Sequence, residues 1–207
     1  MINKFLKAKH WQLFTLMFGI PILLQIVVII SMFANIDSNG NPDQTGMLNM
    51  IKIFPIIMFL YVGLLFGWFW SIGIGLQKYL PTDIKMKIKK FKIFFFIPLT
   101  YILFLLVIIG TTLYGISSGS NAVGRLVGKM LFVVIPMHLF SMFCIFYLLY
   151  FVSKTIKTTE LKRTVTFSDF IVEFFMIWFF PIGIWFIQPR LNKIASEKST
   201  NGNTVYN

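Results

Sequence analysis

Long uninterrupted apolar stretches are the feature that most constrains this chain of 207 residues. Four of them, at 11–33, 53–76, 93–115 and 130–152, each hold 23 or 24 residues and contain no Asp, Glu, Lys or Arg. At a rise of about 1.5 Å per residue, a helix of that length crosses the ~30 Å hydrocarbon core of a bilayer. These stretches therefore predict four membrane-spanning helices.

A fifth apolar element covers about 167–188 and differs from the others because Pro181 and Gly183 interrupt it. Proline removes a backbone donor and glycine tolerates a sharp turn, so these two residues form a candidate hinge. Thr166 and Asp169 have the spacing of a capping pattern, which predicts a helix start near Phe167. Two shapes stay open: an element that bends and returns to the same side, and a fifth span.

The composition leaves no room for a soluble domain. Hydrophobic residues make up 57% of the chain and charged residues only 13%, whereas soluble domains carry about 25% charged residues. We expect a single membrane domain over 1–190, followed by a polar, flexible tail over 191–207. The predicted fold class is an all-α polytopic transmembrane helix bundle with four spans and a fifth, broken element.

The loop charges predict the orientation of the bundle. The N-terminal segment and the connectors 77–92 and 153–170 together carry 13 Lys and Arg, whereas the loops 34–52 and 116–129 carry 3. Because Lys and Arg near span ends mark the cytoplasmic side, the N-terminus is expected in the cytoplasm of a cell with an inner (plasma) membrane. Further basic residues after Pro189 favour the bent form of the fifth element.

A ridge of small residues lies along the second span, where Gly63, Gly67, Ser71 and Gly75 recur every fourth position. Such a ridge lets another helix approach closely, so it predicts a helix-packing face. Packing within the bundle is the favoured interpretation, and contact with another subunit is the alternative.

The connector 77–92 carries a dense group of lysines, namely Lys85, Lys87, Lys89 and Lys90. An ordinary cytoplasmic loop accounts for them, and contact with anionic lipid headgroups is a compatible second interpretation. Nucleic acid is not expected as a partner because no separate domain presents these lysines.

Two ionisable residues within the apolar blocks are candidates for an ion or proton site. Glu173 is the acid within the apolar stretch 171–188 of the fifth element, and His138 lies in the fourth span. Ionisable groups at membrane depth are functional candidates, but Glu173 near a helix start can pair with an interfacial lysine, and a lone histidine usually bonds to a neighbouring helix. The sequence predicts neither a metal site nor a cofactor, and no catalytic motif appears.

Two segments, WFFPIGIWFIQPR at 178–190 and FKIFFFIP at 91–98, resemble a group of small, uncharacterised polytopic membrane proteins of bacteria. The resemblance covers about the last third of the chain and the start of the third span. It implies no activity, ligand or functional residue.

The predicted function is that of a non-enzymatic inner-membrane component, of an accessory, immunity-type or structural kind. Its expected partners are the lipid bilayer and, through helix packing, another membrane protein or a second copy. The alternative is a small-solute or ion transporter that uses Glu173 and His138. A membrane enzyme is the third and least favoured class.

Overall fold

The computed structural model describes residues 2–34, 44–117 and 122–203, and side chains in 2–31, 33–34, 53–112, 115 and 132–196. Within these residues the chain is helical and has no strand. A π-helical turn lies at Thr15–Gly19, and a 3₁₀ turn lies at Leu76–Tyr79. The helices are α1 (Ile2–Lys7), α2 (His10–Phe14), α3 (Ile20–Ala34), α4 (Gln44–Gly75), α5 (Ile88–Ser117), α6 (Ala122–Leu161), α7 (Phe167–Trp178) and α8 (Phe180–Asn203).

Among the described residues, four helices are long and apolar enough to cross a membrane, which confirms the predicted all-α membrane bundle. They cover His10–Ser31, Ile53–Tyr79, Ile88–Thr112 and Phe132–Leu161. Each corresponds to one apolar block of the sequence. The helices extend past the blocks, so the polar flanks continue the helical backbone beyond the apolar part.

The core lies toward the end of the bundle where α4 and α6 finish. Trp68, Ile72 and Phe91 are fully buried there, together with Val152 and Ile156. Aromatic rings dominate this packing, and Phe91 stacks on the ring of Phe151 with centroids 4.6 Å apart. We call this the packed end of the bundle.

The basic segments of the chain meet at the packed end. The Lys78 ammonium lies 3.1 Å from the side-chain oxygen of Asn3, which brings the 77–92 connector to the N-terminus. The Lys162 ammonium donates to the carbonyl oxygen of Tyr79 at 2.8 Å, which joins the 153–170 connector to the same place. The three segments that the charge count grouped together therefore lie at one end of the molecule.

The helix α7 runs antiparallel to α6. Phe170 packs on Tyr150 with ring centroids 5.2 Å apart, and Trp178 packs on Phe146 at 4.6 Å. Since α6 runs toward the packed end, α7 leads away from it.

The helix α8 then returns to the packed end. Its first residue, Phe180, contacts Phe18, whereas Trp185 contacts His10, with ring centroids 5.5 and 4.7 Å apart. The N-terminal span leads away from the packed end, so α8 runs antiparallel to it. The fifth element is thus a helical hairpin, the bent one of the two shapes that the sequence left open.

The turn of the hairpin lies at Phe179, which separates α7 from α8 with ψ of 55°. Pro181 is the second residue of α8, where a missing backbone donor is tolerated. Gly183 meets a tighter constraint, because a Cβ at this position would stand 1.8 Å from the carbonyl oxygen of Met176. A side chain at 183 is therefore incompatible with the approach of α8 to α7.

The structure differs from the predicted flexible tail over residues 191–203. The helix α8 continues through Pro189 to Asn203, and Leu191, Ile194 and Ala195 belong to the buried core. These three share one helical stripe, so a short apolar face packs onto the bundle although the segment is polar on average. Residues 204–207 of the predicted tail lie outside the described residues.

Candidate functional site

Four charged side chains meet at the packed end, where the hairpin contacts α6. Glu173 of α7 accepts hydrogen bonds at Oε1 from the Lys157 ammonium at 2.9 Å and from the Arg190 guanidinium at 2.6 Å. Arg190 of α8 also binds Glu160 of α6 with two nitrogens, and its Nε lies 2.6 Å from Glu160 Oε1. We call Lys157, Glu160, Glu173 and Arg190 the ion cluster.

Each residue of the ion cluster reaches its place through the local fold. Lys157 and Glu160 lie three residues apart and therefore on one face of α6. Glu173 and Arg190 lie on opposite arms of the hairpin and face each other because the chain reverses at Phe179. The cluster holds two carboxylates and two cations, so its formal charge is zero.

Glu173 is the most deeply buried of the four, with 2% of its side chain exposed. Burial raises the pKa of this carboxyl, but hydrogen bonds from Arg190 and Lys157 outweigh that effect and leave the pKa below its ordinary value. The hydrogen bonds of Arg190 to Glu160 and to Glu173 raise the pKa of its guanidinium. Both groups stay charged near neutral pH, so their ion pair links α7 to α8 at that pH.

One oxygen of the ion cluster has no hydrogen-bond partner among the described residues. Glu173 Oε2 is buried, whereas its neighbour Oε1 takes both cations. A buried acceptor is normally satisfied by protein or ordered water. Among the described side chains, Glu173 Oε2 is the one buried oxygen or nitrogen without such a partner.

The capping pattern at the start of α7 is present as the sequence predicted, with the helix beginning at Phe167. Asp169 Oδ2 accepts hydrogen bonds from the backbone N–H of Thr166 at 2.8 Å and from its hydroxyl at 2.9 Å. With a further bond from Arg163, these contacts lower the pKa of Asp169 to about 2.

A second polar centre, at Gln188, joins α8 to α1 and α4. The side-chain Nε2 of Gln188 donates to the carbonyl oxygens of Phe5 and Ala8, both at 2.8 Å. Its Oε1 accepts a hydrogen bond from Trp68 Nε1 at 2.9 Å. Carbonyls at the end of a helix lack intrahelical partners. The Gln188 side chain on α8 therefore supplies a hydrogen-bond donor to the carbonyls at the end of α1.

The small-residue ridge packs against the N-terminal helix along part of its length. A Cβ at Gly75 would stand 2.5 Å from Ile2, and one at Gly67 would stand 3.0 Å from the ring of Phe5. Ser71 is buried, and its hydroxyl donates to the carbonyl oxygen of Gly67. Gly63 is exposed, and a Cβ there would meet nothing within 4 Å. The ridge thus receives α1 at Gly67 and Gly75 and is open at Gly63.

His138 lies far from the ion cluster, so the two candidates for an ion or proton site do not meet. It is exposed on α6, with its ring centroid 5.9 Å from that of Tyr101. From His138 to Lys157 is about 28 Å along the helix at ~1.5 Å per residue. Within the part of the chain that the structure describes, no group of three or more His, Cys, Asp or Glu could hold a metal ion.

The four connector lysines, Lys85, Lys87, Lys89 and Lys90, are all exposed at the packed end. They surround the start of α5 at Ile88. Their contact with anionic lipid headgroups stays a prediction.

The sequence identifies Glu173 as a candidate but does not identify its partners. It marks Arg190 only as a basic residue of the tail, and no pattern in it singles out Glu160 or Gln188. Glu160 and Arg190 are 30 positions apart, and no local spacing joins them. The one signal in the sequence is that Arg190 follows shortly after the break at Pro181 and Gly183. A basic residue at that place indicates that the chain returns to the basic end of the bundle.

No family model, curated protein or solved structure matches the chain. The resemblance to bacterial membrane proteins at 178–190 and 91–98 therefore stays a prediction.

Proposed function

We propose that this protein is a non-enzymatic, multi-pass component of an inner (plasma) membrane that packs against another membrane protein. Its N-terminus, its basic connectors and the open end of its hairpin face the cytoplasm in this proposal. The observation that carries it is the exposure of His138 within an apolar span.

The surface around His138 lacks cover from the described remainder of the bundle. Leu139 and Phe140 are 64% and 54% exposed, and Phe132 is 86% exposed. This stretch contacts α5 at Tyr101, whose hydroxyl donates to the carbonyl oxygen of Val134 at 3.2 Å and whose ring centroid lies 5.9 Å from that of His138. We call residues 132–140 the bare stretch of α6.

An exposed imidazole on the bare stretch favours a protein partner over lipid alone. Ionisable side chains within a span usually face a bundle interior or a partner, because hydrocarbon offers them no hydrogen bond. A helix that covers the bare stretch supplies that bond, and interhelical hydrogen bonds of this kind contribute about 0.6–2 kcal/mol. The partner is thus a transmembrane helix with a polar group opposite His138.

The ion cluster supports the same proposal by its chemistry. Its four charges neutralise one another and join α6 to both arms of the hairpin. A neutral cluster of this kind links helices to one another and needs no proton transfer to do so. The transporter alternative receives less support, because Glu173 is engaged by two cations and lies remote from His138.

Photocrosslinking in the native membrane tests this function. A photoreactive residue at Leu139 should yield a discrete protein adduct, and one at Val27, which is similarly exposed on α3, should not. In the Leu139 background, His138→Leu should lower the yield several-fold, whereas Phe140→Leu should not. Lipid adducts alone, or an adduct indifferent to His138→Leu, would contradict the proposal; an adduct of twice the chain mass would identify a second copy as the partner.

A further inference from the structure

An open groove of about 860 Å³ runs along α4 beside the N-terminal helix. The small-residue ridge forms its floor. Ile2 and Phe5 of α1 stand on one side, and aromatic side chains of α4 and α5 stand on the other, namely Phe66, Trp70, Phe95 and Phe96. The aromatic wall is continuous, because the ring of Trp70 lies 4.9 Å from that of Phe95 and 5.8 Å from that of Phe96.

The groove is polar at one end and apolar at the other. Lys78 and Asn3 line it at the packed end, where their side chains are 3.1 Å apart. Gly63 and Leu99 line it at the far end. From Lys78 to Gly63 is about 22 Å along α4 at ~1.5 Å per residue, which exceeds half of a ~30 Å hydrocarbon core.

We propose that this groove is a binding site for one anionic phospholipid, with its phosphate at Lys78 and an acyl chain that runs along the aromatic wall to Gly63. The polarity of the groove matches that of the molecule, since a cation and an amide lie at the end where the headgroup belongs. Lys85, Lys87, Lys89 and Lys90 lie exposed at the same end and attract anionic lipid to it.

The width of the groove favours an acyl chain over a helix. At Gly67 the Phe5 ring stands only 3.0 Å from the position of a Cβ, so the floor is partly covered there. A helix is about 10–12 Å across with its side chains and would have to displace α1. An acyl chain is slender and flexible. This inference is independent of the partner proposed at the bare stretch, which lies on another helix.

Gly63 allows the site to be blocked without disturbing the fold. A side chain there meets nothing within 4 Å, and the same holds for Gly110, which lies on α5 outside the groove. Gly63→Leu fills the groove, and Gly110→Leu is its matched control. The full-length protein, extracted from vesicles of phosphatidylglycerol and phosphatidylcholine, is examined by native mass spectrometry.

The wild type and Gly110→Leu should retain one phosphatidylglycerol, and Gly63→Leu should retain several-fold less. Equal retention by both variants would overturn the proposal. Gel filtration of each variant shows that the comparison concerns folded protein. A photoreactive residue at position 63 gives a second measurement, in which a lipid adduct supports the proposal and a protein adduct overturns it.

The headgroup end is tested by Lys78→Gln, with Lys92→Gln as the control outside the groove. Gln at position 78 keeps a hydrogen-bond donor for Asn3 and removes the charge. The preference for phosphatidylglycerol over phosphatidylcholine should fall about fivefold, the factor that corresponds to ~1 kcal/mol per basic residue near the surface. An unchanged preference, or an equal fall in Lys92→Gln, would overturn the assignment of the phosphate to Lys78.

Discussion

At the scale of single residues, Arg190 is the centre of the ion cluster because it serves two acids at once. It binds Glu160 of α6 and Glu173 of α7 from its own place on α8. Charge-assisted bonds of this paired geometry are stronger than neutral ones. Removal of the guanidinium leaves two carboxylates facing each other at the packed end.

Arg190→Met should therefore lower the free energy of unfolding by about 2 kcal/mol, less than the ~3–5 kcal/mol for a fully buried pair because Arg190 is partly exposed. Thermal unfolding in detergent micelles measures the change. Arg163→Met is the matched control: it breaks a pair with Asp169 in which Arg163 is 57% exposed, and surface pairs contribute about 0–1 kcal/mol. Equal effects of the two substitutions would contradict the special role of Arg190.

The lowered pKa of Asp169 predicts that acid destabilises the start of α7. Its pKa in the folded protein is about 2, below that of an unfolded aspartate, so the contribution to stability is present above about pH 4 and is lost as pH falls toward 2. The thermal midpoint should fall between pH 5 and 2.5. The thermal midpoint of Asp169→Asn should fall less over this interval, and some fall should remain because Glu173 still titrates. A variant as acid-sensitive as the wild type would contradict the assignment.

Residues linked by local spacing could be predicted, and those linked across the fold could not. Thr166 and Asp169 are three positions apart and form the expected cap at Phe167. Arg190 and Glu160 meet only because a hairpin brings α8 back to α6. Their pairing depends on the direction of α8, which no periodicity in the sequence encodes.

At the scale of elements, the hairpin depends on a close approach of its two helices. The carbonyl oxygen of Met176 occupies the place that a Cβ at Gly183 would need. The turn at Phe179 and the position of Pro181 at the start of α8 are compatible with many side chains. The glycine at 183 is not replaceable in this geometry.

Gly183→Ala should consequently force the arms of the hairpin apart and lower the free energy of unfolding by about 3 kcal/mol, at the upper end of overpacking effects. Thermal unfolding and protease cleavage between α7 and α8 report the change. Gly110→Ala should be nearly neutral, because a Cβ there meets nothing within 4 Å. A stable Gly183→Ala protein with protected arms would show that the close approach is dispensable.

Length and hydropathy predict the four spans and the broken fifth element. They do not predict the helix beyond residue 190. The four spans follow from the apolar blocks, and the break follows from Pro181 and Gly183. The helix beyond residue 190 did not follow, because Leu191 and Ile194 form a narrow apolar stripe within a polar segment. Average polarity hides a stripe of that width.

At the scale of the whole molecule, charge and topology agree. The basic N-terminus and both basic connectors meet at the packed end, and the hairpin returns Arg190 and Lys193 to it. The charge count by itself predicts that the three basic segments lie together, since membrane insertion sorts Lys and Arg to one side. It does not predict the bare stretch or the groove, which arise from how the helices pack.

A labelling experiment tests the topology. Single cysteines at Lys85 and Lys193, both exposed, should react with a membrane-impermeant thiol reagent from the same side of the membrane. Cys144 is fully buried and serves as the internal background. Reaction from opposite sides would mean that α7 and α8 together cross the bilayer.

The bond between Gln188 and Phe5 joins positions 183 residues apart. At about 5–20 residues per second, a ribosome makes the second partner roughly ten to forty seconds after the first. During that interval the carbonyl groups at the end of α1 lack the hydrogen-bond donor that Gln188 later supplies. A chain interrupted before residue 188 would still pack α1 on α4 through Ile2 and Phe5, but the carbonyls at the end of α1 would lack the hydrogen bonds that secure them to α8.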